Sequence, residues 1–244
     1  MKRILTKVGT CAALAAGAGG LIASPALAAT TSSTVATSPA TASGQTLANI
    51  KAKAATAISV RQNALQLAVS DVRANEYLTD ADRATLLNTL QDDQSGLTTL
   101  GQTIQGDTTV AKAEADYKLI FTGYRVFALA LPQVRFAAST DDLTGTVVPH
   151  LTDAQTKLQA LLSGPDKSKD TPAVQAKMDD LANQISAITT DTNGLAATIL
   201  SFTPAQWDAN PYILTAPVSQ LRTARSDAKQ ARADIAYVVQ AIKS

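Results

Sequence analysis

Four cations near the C-terminus fall in helical register: Arg222, Arg225, Lys229 and Arg232 follow one another at steps of three, four and three. That spacing brings side chains onto one face of a helix. Such a row has the chemistry to hold phosphate or carboxylate groups on an anionic cell-envelope polymer, a phospholipid surface or nucleic acid. Asp227 and Asp234 interrupt its flanks, so pairing with neighbouring helices or plain solvation is the competing expectation. No aromatic residue interleaves with the row, which disfavours nucleic acid, where base stacking normally accompanies charge. Trp207 and Tyr212, in the proline-rich segment ahead of the row, are the other candidate surface contacts.

A second cluster is apolar. Tyr117, Phe121, Tyr124 and Phe127 lie at helical steps and, with the Trp207–Tyr212 segment, carry most of the aromatic content of a chain with only 4% aromatic residues. They are suited to line a pocket for a lipid or other apolar ligand between helices. The alternative is that they anchor the core of a bundle otherwise rich in alanine.

Residues for covalent or hydrolytic chemistry do not assemble. His150 is the only histidine, and one histidine cannot supply the three or four ligands of a zinc site. The acids Asp80/Asp82, Asp92/Asp93, Asp141/Asp142 and Asp179/Asp180 lack the alternating oxygen ligands, central glycine and distant glutamate of a calcium loop. Adjacent acids on a helix point about 100° apart, so capping and a solvated face explain them better than a glycosidase pair. Serine and threonine are plentiful, yet no histidine base or nucleophile elbow accompanies them, and no phosphate-binding glycine motif is present. The expectation is a non-enzymatic protein with no catalytic residue, cofactor or metal.

The elements that must position these residues read as helices throughout. Apolar residues recur at steps of three and four, which sets them on one stripe of a helix. The first stripe runs Leu47, Ile50, Ala54, Ile58, Leu65, Val69, Val72 and stops near Asn75. Thr79-Asp80-Ala81-Asp82 supplies a cap and two acids for the next helix, whose stripe is Leu86, Leu90, Leu97, Leu100, Ile104. A third helix is predicted from Val110 to Leu131, with a kink or break at Pro132. The pattern weakens around Asp141-Asp142, Gly145 and Pro149, then recovers at Leu151, Ala154, Leu158 and Leu161. Ser163–Asp170 is a polar loop, Thr171-Pro172 opens a helix reaching Ile199, and Phe202–Pro217 is a connection with three prolines. Leu221, Ala224, Ala228, Ala231, Ile235, Val238 and Ile242 stripe the last helix. Without any alternating strand pattern, the fold class expected is all-α: an elongated antiparallel helical bundle of about five long helices over residues 47–244.

The N-terminus carries a different message. Lys2, Arg3 and Lys7 precede the apolar stretch Val8–Ile22, and Ser24-Pro25-Ala26-Leu27-Ala28 ends in small residues. Residues 1–28 therefore read as a secretory signal peptide. Residues 29–46, dominated by threonine and serine, bury too little to offset their ordering entropy and are expected to form a disordered spacer. A glycosylated stalk is a second reading of the same composition. The leader takes three of the 21 basic residues and none of the 20 acidic ones, which leaves the remainder a formal charge of −2. Near-neutrality gives no global steering toward polyanions, so any such attraction must be local. Cys11, the only cysteine, falls within the leader, leaving no disulfide in the exported part. A chain of about 200 residues can bury enough surface to fold without one. No later apolar run reaches the ~20 residues of a membrane span.

Three stretches resemble a group of exported helical proteins of high-GC Gram-positive bacteria: Leu78–Leu87 with Gly96-Leu97, Gly123–Arg135, and Leu200–Pro211 followed by Leu221–Arg225. Where that group carries an acid before the Tyr-Arg pair, this chain has Gly123. The resemblance implies helices, export and a Gram-positive envelope, and transfers no functional residues. The resulting expectation is a secreted protein, released or held non-covalently at the cell wall, with a structural or binding role toward an anionic envelope polymer or another envelope protein. The alternative expectation is a carrier of an apolar ligand along Tyr117–Phe127. Oligomeric state is left open by long heptads, which also suit dimers and domain swaps.

Overall fold

The computed structural model describes residues 46–244. The expected signal peptide, and all of the expected spacer except Thr46, lie outside the described residues. Helix dominates: α1 (Leu47–Ala74), α2 (Asp80–Gly106), α3 (Val110–Thr122), α4 (Leu131–Asp142), α5 (Val148–Ser163), α6 (Pro172–Thr192), α7 (Leu195–Leu200), α8 (Pro204–Ala209) and α9 (Thr215–Lys243), with no strand among the described residues. The all-α bundle expected from the apolar periodicity is what forms.

Its helices start where side-chain acceptors can satisfy free N–H groups. Thr46, Thr79, Thr109 and Thr171 each accept from the backbone N–H three residues on, opening α1, α2, α3 and α6. Thr203 and Gln206 form a reciprocal capping box at α8. Asp80 and Asp82 occupy the first turn of α2, where negative charge suits the helix dipole. A longer-range cap adds to these: the Thr79 N–H donates to Asp141 Oδ2 at 2.9 Å. That bond ties the start of α2 to the end of α4.

The segment around Pro132 departs from expectation. The third helix ends at Thr122 rather than Leu131, because Arg125 adopts a left-handed backbone at φ 45°. From Val126 to Ser163 the chain is then helical without interruption, through both Pro132 and Pro149. Each proline is preceded by a five-residue π turn, Val126–Ala130 and Leu143–Val147. There the N–H groups of Leu131 and Val148 donate five residues back, to Val126 and Leu143. The widened turn leaves slack in the hydrogen-bond ladder at the place where a proline offers no donor. The loose stretch near Gly145 is thus the second π turn, within a rod of two helices.

Packing divides along this rod. One face of its first half, with Val126, Ala130 and Ala137, joins the core between α1 and α2 built on Leu65, Leu90 and Leu97. The other face, with Leu129, Leu143 and Leu151, joins a core shared with α6, α7 and α9. α1 and α2 run antiparallel, since Lys51 Nζ donates to the Gln105 carbonyl at one end and Arg83 to the Val72 carbonyl at the other. α6 and α9 are also antiparallel, with Val174 and Met178 sharing a cluster with Val238 near the C-terminus. Ala224, Ala228 and Ala231 are buried in the α6–α9 core, and their small side chains permit close approach of the backbones. Two smaller corrections follow. Gly194, at φ 66°, separates α7 from α6, which were expected to be one helix. Leu162, not Leu161, enters the core at the end of α5.

Candidate functional site

α9 presents the basic row as its spacing requires: Arg222, Arg225, Lys229 and Arg232 are all exposed. None of the four forms an ion pair among the described residues. The acids expected to neutralise the row fare differently. Asp234 is only 2% exposed and points the other way. It accepts from Gln184 Nε2 at 2.9 Å and pairs with Lys177 of α6 at 3.1 Å. Burial alone would push this carboxyl up, but the Gln184 and Lys177 contacts together hold it below the ordinary aspartate range. Asp227 is half-buried at the edge of the same helix. Removing Asp234 from the surface leaves the row a local concentration of positive charge on a nearly neutral molecule.

The rod adds a member that spacing could not reveal. Arg135 of α4 shares a cavity of about 370 Å³ with Arg222 and Arg225, floored by Phe136, Val218 and Leu221. Its guanidinium carbon lies 4.9 Å from the Phe136 ring centre, a cation–π contact that holds it over the cavity. Further along α9, Arg232 and His150 line a second hollow of about 320 Å³ with Tyr77 and Asp142. The lone histidine thus sits in solvent beside the row. No group of three or more His, Cys, Asp or Glu among the described residues could hold a metal.

The aromatic residues are brought only partly together. Tyr117 and Phe121 meet edge to face at 5.2 Å, and both pack half-buried on the α1–α2 core with Tyr124. Phe127 is instead 49% exposed, because the left-handed turn at Arg125 breaks the register that would have aligned it. Arg61 of α1 covers the cluster, its guanidinium 4.3 Å from the Phe121 ring centre and 5.4 Å from that of Phe127. Burial lowers its pKa.

Tyr124 lies over Gly96 of α2, so close that a Cβ there would come within 2.6 Å of its hydroxyl. Burial, and then the nearby Asp93, raise the Tyr124 pKa, and burial with the adjacent Asp92 lifts Asp93 to about 6. Trp207 is half-buried against the second core, whereas Tyr212 is 76% exposed in the turn before α9. The Trp207 segment is fastened by Asp208, which pairs with Arg125. Arg125 therefore has an acid partner from α8, in a chain that places Gly123 before its Tyr-Arg pair.

A further hollow was not legible in the sequence. It is a furrow of about 570 Å³ between α1 and α4, with Leu67, Ala68, Leu131, Val134 and Ala138 along it. Arg135 borders this furrow as well as the cavity it shares with Arg222 and Arg225. Among the described residues no helix is long and apolar enough to cross a membrane. The chain matches no protein-family model, no curated protein and no solved structure.

Proposed function

We propose that this is an exported, non-enzymatic binding protein that holds an anionic polymer of the cell envelope through one cationic face. The observation that carries the reading is the set of exposed cations on α9, Arg222, Arg225, Lys229 and Arg232, none ion-paired among the described residues, with Arg135 beside Arg222 and Arg225 and Asp234 withdrawn into the core. Cations at this spacing complement repeated phosphate or carboxylate groups, and binding of that kind weakens as salt screens it. Export rests on the leader-like residues 1–28 and on the resemblance to exported helical proteins of high-GC Gram-positive bacteria. The Trp207–Tyr212 turn, with Tyr212 exposed, is a candidate contact for another envelope protein.

The test is fractionation followed by elution. Cells should yield the protein in medium and wall, trimmed near Ala28, and added salt should release the wall-held portion. Recovery only from the cytoplasm would overturn export, and a wall-bound fraction indifferent to salt would overturn the cationic grip.

A further inference from the structure

Arg135, Arg222 and Arg225 line one hollow of about 370 Å³ where α4 meets α9. Arg222 and Arg225 stand about one turn apart on α9, and Arg135 belongs to the neighbouring helix, so positive charge borders the hollow from two elements. All three are exposed, and none forms an ion pair among the described residues. No acid lines the hollow, whose remaining wall is Phe136, Val218 and Leu221. An apolar wall keeps water from one side of a charged group, and attraction between charges is stronger there than in open solvent.

The backbone beneath the three arginines is held on both sides. On α4, the buried Gln133 donates to the Ile199 and Phe202 carbonyls at 2.8 and 2.9 Å, which sets the rotation of the helix. Arg135, two residues on, therefore lies on the opposite side of α4, exposed. On α9, Leu221 and Ala224 are buried in the core against which Phe136 and Val218 also pack. Guanidinium groups stay protonated in proteins, so the hollow carries three positive charges at every pH considered below.

The count of charges selects the ligand. A carboxylate or a phosphodiester brings one negative charge and two free oxygens, which leaves part of the trio unmatched. A phosphate monoester carries about −1.5 to −2 at pH 7 and three strongly accepting oxygens, one for each guanidinium. We propose that the hollow bounded by Arg135, Arg222 and Arg225 is a binding site for a phosphate monoester group. This rests on the binding reading above, since Arg222 and Arg225 belong to the same cationic face, and it gives part of that face a ligand of defined chemistry. Lys229 and Arg232 lie outside the hollow.

The probe is methyl phosphate, followed by nitrogen–proton NMR of the arginine side chains at low salt, with dimethyl phosphate and acetate as singly charged comparisons. Saturable shifts of Arg135, Arg222 and Arg225 are expected, with methyl phosphate binding about tenfold more tightly than either comparison at pH 7.5. Its affinity should fall several-fold at pH 5, because the second ionisation of a monoester lies near pH 6. No side chain lining the hollow titrates in that interval, and His150 lines a separate hollow with Arg232. Arg135→Gln should weaken methyl phosphate about tenfold, Arg135→Lys should restore only part of the loss because it keeps the charge without the planar fork, and the remote Lys53→Glu should change nothing. Arg135 is exposed, so these changes remove no core packing, and unaltered helical circular dichroism checks this. Binding indifferent to Arg135→Gln, a comparison ligand binding as tightly, or affinity independent of pH would each overturn the proposal. With methyl phosphate bound, cell walls treated with alkaline phosphatase locate the natural source. Weaker sedimentation of the parent but not of Arg135→Gln places the monoester on the polymer, and unchanged sedimentation of both places it on a small soluble molecule. Salt-sensitive wall binding with no methyl phosphate binding would remove the site and leave the polymer reading standing. Methyl phosphate binding without salt-sensitive wall binding would do the reverse.

Discussion

Two aspartates show how one side chain can be settled in opposite ways by its surroundings. Asp93 lies half-buried beside Asp92, and desolvation first, then the neighbouring charge, lift its pKa from 3.8 to about 6. The folded state therefore binds this proton more tightly than the unfolded chain. Stability from it is complete below pH ~4 and is lost as pH rises through about 6. Solvent still reaches the group and screens it, so Asp93→Asn is expected to raise stability at pH 7 by about 1 kcal/mol and to change little at pH 4. Urea unfolding at the two pH values checks this, and an equal effect at both would contradict it. Asp234 is the reverse case, its carboxyl held charged by Gln184 and Lys177 across the α6–α9 seam and by Gln230 one turn earlier on α9 itself. Asp234→Ala should cost about 2 kcal/mol by leaving those donors without their acceptor, read as a fall in the urea midpoint with unchanged slope.

At the scale of elements, caps and stripes were legible because they are local. Thr79 and Thr171 open helices as their neighbours indicate, and Leu65, Leu97, Ile188 and Leu221 are buried where the period of 3.6 puts them. What the sequence concealed depends on backbone states and distant partners. Neither the left-handed Arg125 nor the π turns before Pro132 and Pro149 leave a compositional mark, and proline alone argues for a break. Phe127 consequently leaves the stripe on which its spacing would place it. Arg135 was invisible as a site residue because it reaches Arg222 and Arg225 only when α4 packs beside α9. Gly194 marks the α6–α7 junction by conformation, with open space where a Cβ would be. Gly194→Ala should cost about 1 kcal/mol from the left-handed backbone alone, seen in thermal unfolding. The alanine seam predicts the opposite kind of failure. Ala231 is fully buried between helices, and Ala231→Leu should destabilise by ~1–3 kcal/mol through overpacking. A variant with an unchanged melting temperature would show that the seam is looser than its burial implies.

For the molecule as a whole, the distribution of charge matters more than its total. With residues 1–28 removed the formal charge is −2, yet Arg135, Arg222, Arg225, Lys229 and Arg232 have no paired acid among the described residues. The bundle contributes rigidity: α9 is a 29-residue helix packed along α6, so the backbone positions that carry its cations are fixed in advance. A preformed row loses less side-chain and backbone freedom on binding than a flexible tail would. The most direct measurement of the cationic grip is co-sedimentation of the purified protein with isolated cell walls, comparing the parent with Arg222→Glu/Arg225→Glu/Arg232→Glu at low and physiological salt. The parent should sediment at low salt and be released progressively by salt, while the charge-reversed protein, equally folded, stays in the supernatant at both. Equal sedimentation of the two proteins would contradict the account.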